Sequence, residues 1–100
     1  MEIKKLEQNG TTVLALSGML DSNTSADFQT AISELLNSDV KDVKLDLTSL
    51  EYISSQGLRL ILSLQKGLMA NGGKLVVSQL QPVVKEVFDI TGFSNIFTVE

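Results

Sequence analysis

The spacing of apolar residues changes period several times along this chain, and each change limits what the segment can become. Side chains that alternate suit a strand, and side chains that recur every three to four residues suit a helix. Residues 40–47, VKDVKLDL, place Val40, Val43, Leu45 and Leu47 in a strand pattern. Phe28, Ala31, Ile32, Leu35 and Leu36 before it follow helical spacing, with Ser, Asn and Thr cap candidates at 22–25. After a loop at 48–55, TSLEYISS, helical spacing returns from Gln56 through Leu58, Ile61, Leu62, Leu68 and Met69, and Asn71-Gly72-Gly73 stops it. KLVVSQL at 74–80 reads as a buried strand. Pro82 sits where a third helix begins, with Val83, Val84, Val87 and Phe88 on its apolar face and Gly92 at its end; NIFTV at 95–99 reads as a last short strand.

Upstream, Asn9-Gly10 separates two segments of strand character and marks a hairpin, since both residues tolerate positive φ. In the second of these segments Val13, Leu14, Ala15 and Leu16 are all apolar, as in a strand buried on both faces. A hairpin followed by alternating helix and strand predicts an α/β sandwich with a mostly parallel or mixed sheet. No repeat, linker or low-complexity tract divides residues 1–100, so one domain is expected.

The residue types that are missing narrow the chemistry. There is no His and no Cys. Ser-His-Asp triads, imidazole acid–base catalysis, thiol nucleophiles, zinc ribbons and iron–sulfur clusters are therefore excluded. Neither phosphate-cradling glycine motif occurs. The chain does not read as an enzyme, and no cofactor or metal is expected. Eight Lys plus Arg against twelve Asp plus Glu give a net charge of −4, which argues against nucleic acid and anionic membrane as partners. No apolar run approaches membrane-spanning length, and the polar start MEIKKLEQNG does not resemble a signal peptide, so a cytoplasmic protein is expected.

Ser54 and Ser55 then stand out, at the end of a strand and the start of a helix. Serine is a good N-cap, and a helix end needs only one. The same edge of an α/β sheet is where ligands and partners meet the protein. A phosphate there would meet a helix N-terminus that tolerates an anion, while a docking partner would have to bury the added charge. Both readings stay open for this pair. Asp46 suggests a rival, a phosphoacceptor at a strand end, but VLALSG lacks the acidic pair that chemistry wants, so Asp46 reads as a loop-side polar residue.

LALSGMLDSNTS, VKLDLTSLEYISSQGLRLIL, NGGKLVVSQLQPVVKEVFDITGF and NIF, in that order, together resemble the bacterial anti-sigma factor antagonists, single-domain STAS proteins. The resemblance spans about Val13 to Val99. It implies a STAS-type sandwich with a mixed four- to five-stranded sheet and helices packed mainly on one side. It also implies a phosphorylation-controlled partner switch. The unphosphorylated form binds an anti-sigma factor that is also a serine kinase and so releases the sigma factor; a PP2C-type phosphatase reverses the modification. The alternative it leaves is a STAS adaptor that is not phosphorylated. A monomer is expected.

The family's phosphoserine pattern, D-S-[ST]-G-L, falls on Ser54, Ser55, Gln56, Gly57 and Leu58, making Ser55 the implied phosphorylation site. Ser54 and Gln56 depart from that pattern. The family's G-x-[LI]-D loop falls on Gly18, Met19, Leu20 and Asp21. The implied partner-binding set is Asp21, Ser22, Asn23, Thr24, Ser54, Ser55, Gln56, Gly57, Leu58 and Arg59. Asp21 is read as a loop-positioning residue, a partner contact or a helix cap, and Arg59 as a partner contact or a solvated charge. Met19, Leu20 and Leu58 are either an exposed apolar patch or core, while Phe88, Phe93, Ile96 and Phe97 are expected in the core.

Overall fold

Asn9 and Gly10 take φ of 52° and 85°, and the strands on either side of them pair antiparallel in register from Glu2↔Ser17 to Gln8↔Thr11. Two positive-φ residues give the turn a twist that matches its strands. The computed structural model describes residues 1–100. The elements run β1 (Glu2–Gln8), β2 (Thr11–Leu20), α1 (Ser25–Leu36), β3 (Asp42–Ile53), α2 (Ser55–Ala70), β4 (Lys74–Ser78), α3 (Pro82–Ile90), a 3₁₀ turn (Phe93–Asn95) and β5 (Thr98–Val99).

The sheet order is β1-β2-β3-β4-β5, with the pairs after the hairpin all parallel. Each parallel step advances in one direction across the sheet and is made through a helical crossover. Crossovers of a single hand then bring every helix to the same face. The burial pattern agrees: Leu14, Leu45 and Val77 lie side by side in register, and all are buried. With Phe28 and Ile32 of α1, Ile61 and Leu64 of α2, and Val84 and Phe88 of α3 they belong to one apolar cluster of 20 residues. The sandwich therefore has two layers, a mixed five-stranded sheet under three helices. No helix is long and apolar enough to cross a membrane.

Several expectations need correction. The segment 48–53 is not a loop; β3 continues to Ile53. Its register against β2 slips twice, since Ala15↔Asp46 is followed by Ser17↔Ser49, and Gly18↔Leu50 by Met19↔Tyr52. Each slip adds one residue to β3, as a β-bulge does. The buried positions accordingly run Leu47, Leu50, Ile53, in steps of three that hide the strand's period of two. Asp46 therefore does not end a strand. It lies within β3, where its Oδ1 accepts hydrogen bonds from the Thr48 N–H (3.0 Å) and hydroxyl (2.6 Å). Gly18, at φ 88°, takes a left-handed conformation beside the second slip.

The strand at 11–17 is more deeply buried on its helix-facing side. Thr12, Leu14 and Leu16 are buried there, whereas of the outer residues Val13 is buried and Ala15 and Ser17 are half-buried. At the other end, β5 is only Thr98–Val99, because 93–95 form a 3₁₀ turn. Phe88, Phe93 and Phe97 pack ring against ring, centroids 5.5–6.5 Å apart. Phe88 and Phe97 are buried and Phe93 is partly so, but Ile96 is half exposed and is not core.

Candidate functional site

β2 and β3 remain paired to their final residues, Leu20 and Ile53, so the chain leaves both strands side by side. The junction is fixed through Ser54. Its N–H donates to the Leu20 carbonyl at 2.9 Å, and its own carbonyl accepts from the Leu58 N–H at 3.0 Å. With extended backbone angles it caps α2, its Oγ accepting from the Gly57 N–H at 3.1 Å. A serine Oγ that takes one of the helix's orphan N–H groups is an N-cap in the full sense. Ser54 is the structural serine.

Ser55 differs although it is adjacent. It is the first residue of α2, it is exposed, and its hydroxyl has no hydrogen-bond partner within the chain. Gln56 is exposed beside it. The first turn of α2 holds no acidic residue, so nothing there opposes a negative charge.

Gly57 is buried, and its place is set by packing. A Cβ there would lie 2.8 Å from Leu20 Cγ and 3.0 Å from Ile53 Cγ1. The first turn of α2 thus rests on the two strand ends at a distance only glycine allows. Leu58, 2% exposed, continues that contact into the core. Gly57 and Leu58 shape the surface around Ser55 from below and present no side chain on it.

The neighbouring loop, Asp21–Thr24, is closed by its own polar groups. Asp21 Oδ1 accepts from the N–H groups of Asn23 (2.9 Å) and Thr24 (3.2 Å). Thr24 Oγ1 accepts from the Asp21 N–H at 3.0 Å, and its single proton goes to the Met19 carbonyl at 2.8 Å. Of the readings open for Asp21, loop positioning matches these bonds. The residue preceding α1 is Thr24, which makes no side-chain cap bond. Ser22 and Asn23 are exposed, as is Arg59 on the second turn of α2.

The three apolar candidates separate. Leu20 and Leu58 are core, and Met19 is 49% exposed. Tyr52, read from the sequence as a loop residue, stands next to Met19 in register and is 42% exposed. Continued alternation beyond Leu47 would have revealed it, but the bulges broke that signal.

The arrangement is a surface and not a pocket. None of the chain's concavities is lined by residues 50–59, and the one of about 270 Å³ is lined by Gln8, Asn9 and Lys74, among others, with the β1–β2 turn at its rim. No cluster of three or more Asp or Glu could hold a metal ion. The carboxyl held below its ordinary range lies elsewhere, at Asp89, which accepts from the Ser94 hydroxyl and from Lys85.

Known proteins resemble the chain over nearly its whole length. The model of the STAS domain family matches residues 2–100. BtrV of Bordetella bronchiseptica, provisionally named an anti-sigma factor antagonist, is 37% identical over 91 residues, covering 91% of this chain and 78% of its own. The anti-sigma F factor antagonist of Paenibacillus polymyxa is 27% identical over 99% of this chain and 86% of its own. Among solved structures, the anti-sigma factor antagonist SpoIIAA in its unphosphorylated form superposes with a TM-score of 0.84 at 22% identity, over 99% of this chain and 88% of that one. Phosphorylated SpoIIAA of Bacillus gives 0.76 at 20% identity, over 99% and 91%.

Proposed function

The chain belongs to the STAS domain family, and on that premise we propose that it is an anti-sigma factor antagonist controlled by phosphorylation of Ser55. Its partner is an anti-sigma factor with serine kinase activity, which it binds when unmodified. Binding frees the sigma factor, phosphorylation ends the binding, and a PP2C-type phosphatase restores it. The protein acts in the cytoplasm by occupying a partner, with no reaction of its own.

The observation that carries this reading is the division of labour between two adjacent serines. Ser54 is tied down by its cap, its N–H and its carbonyl, while Ser55 presents an unengaged hydroxyl at the same exposed edge. The names of the sequence relatives support the class of partner, and the phosphorylated form of a structural relative supports the type of control. The physics is local. A phosphate adds about −1.5 to −2 charges and three acceptor oxygens. At the start of α2 those charges meet the positive end of the helix dipole, so the fold is spared. A partner surface shaped for a neutral serine would have to bury them without a counter-charge. Exposed Ser22, Asn23, Gln56 and Arg59 serve as partner contacts on the two segments that leave the sheet there, and Asp21 and Thr24 hold the adjoining loop in shape.

The test is incubation with a serine-kinase anti-sigma factor and ATP, followed by tandem mass spectrometry and calorimetric titration. One phosphate is expected, on Ser55, with at least about tenfold weaker binding afterwards, roughly 1.4 kcal/mol. Ser55→Ala should bind without being switched. Equal affinity for both forms would leave a constitutive STAS adaptor, and a phosphate confined to Ser54 would remove the premise about the cap.

A further inference from the structure

The sheet face opposite the helices carries mostly small or polar side chains, with Lys4, Ala15, Ser17, Asp46, Thr48 and Ser49 around one shallow depression. Its character changes at the edge where β2 and β3 end. Met19 and Tyr52 are register partners, and residues paired in register project to the same side of a sheet. The next pair, Leu20 and Ile53, turns to the helices and is buried, which puts Met19 and Tyr52 on the open face. They form the one strand-paired position where both members are large, apolar and exposed. The other exposed apolar strand residues, Leu6 and Val99, pair with Val13 and Val77, which are buried.

Single exposed hydrophobic residues are ordinary, and here two adjoin each other in register to make a small apolar patch. Asp21 follows Met19 by two residues and Ser54 follows Tyr52 by two, so the pair lies at the end of the sheet from which the chain passes to Ser55. Thr24 donates to the carbonyl of Met19, holding this strand end in place. Asp21 and Glu51 flank the pair along the two strands, on a chain whose net charge is −4.

We propose that Met19 and Tyr52 are the apolar anchor of the anti-sigma factor interface, receiving an apolar side chain that the partner presents within a rim of Lys or Arg. The proposal rests on the partner-switch reading above and adds the residues that hold the partner. Tyrosine and methionine suit the task. A tyrosine ring offers a large contact area with few rotatable bonds, and its hydroxyl can stay wet. Methionine adapts its shape to what it meets. Affinity then comes largely from the anchor, and Ser55 decides whether the anchor can be reached.

The experiment is calorimetric titration with the serine-kinase anti-sigma factor of the same genome that binds the wild-type chain. The variants are Met19→Thr and Tyr52→Thr, whose β-branched replacements suit a strand, plus Tyr52→Phe and Met69→Ser. Met69 is 64% exposed at the far end of α2 and serves as the control. Tyr52→Thr should weaken binding at least about tenfold and Met19→Thr several-fold, as truncated anchors do. Tyr52→Phe and Met69→Ser should bind as wild type, and raising the salt concentration should weaken binding through the charged rim. If both Thr variants bind as tightly as wild type while phosphorylation still abolishes binding, the anchor is wrong and the switch stands. If no anti-sigma factor binds the wild-type chain, the switch falls and the anchor with it. Sedimentation of the free protein covers the other occupant: a concentration-dependent dimer that Tyr52→Thr dissolves would mean that a second copy covers this face.

Discussion

Two loops leave the sheet side by side, after Leu20 and after Ile53, and they treat their polar groups in opposite ways. The Asp21–Thr24 loop turns inward: a carboxylate oxygen, a hydroxyl and three backbone N–H groups satisfy one another. The Ser54–Ser55 junction divides the work, one hydroxyl capping the helix and the other left free. A surface that must be modified without unfolding needs both kinds of loop. The closed loop supplies a fixed frame, and the open one supplies the group that changes.

The largest effect on this comparison is expected from Leu20, which both loops share. Its carbonyl holds Ser54, its side chain seats Gly57, and Asp21 follows it directly. Leu20→Ala should cost about 2–5 kcal/mol in chemical denaturation, as buried leucine truncations do, and should increase hydrogen exchange in both loops together. Exchange raised in one loop alone would show that they are not mechanically joined.

Thr24→Val comes next. It keeps the side chain's shape but removes the acceptor for the Asp21 N–H and the donor to Met19, at a cost of about 1–3 kcal/mol for the two hydrogen bonds lost. Ser54→Ala removes the cap and should cost about 1 kcal/mol. Ser54→Asp should restore it, since aspartate caps equally well. Ser55→Ala should change stability by less than about 0.5 kcal/mol, as a surface substitution with no partner does. An ordering in which Ser55→Ala costs more than Ser54→Ala would reverse the roles assigned to the two serines.

Much of this was readable from sequence because the fold's devices are local. The Asn9-Gly10 turn, the helical spacing of Phe28 to Leu36, and Pro82 at the first position of α3 all carry their cause within a few residues. The later half of β3 was not readable. Its bulges are a property of pairing with β2, and spacing in one strand cannot register an offset against another. Tyr52 therefore reads as a loop residue, and the spacing within one strand gives no sign of its pairing with Met19. Capping chemistry alone likewise does not separate Ser54 from Ser55, because which serine caps depends on where the helix starts, a matter of one residue; only the family pattern singles out Ser55. Gly57 was visible as a motif position, but its reason, the approach of Leu20 and Ile53 beneath it, belongs to tertiary packing.

The sheet order, in which every strand lies next to its predecessor in the chain, also bears on how the protein is made. As it emerges from the ribosome, β2 finds β1 already there, β3 finds β2, and β4 finds β3, so each new strand has its first partner in place when it appears. The Asn9-Gly10 hairpin closes a short stretch of chain at low entropic cost, whereas each parallel pairing must wait for its crossover helix. Assembly by successive addition leaves the youngest edge, at β4, exposed only until the last residues of β5 arrive.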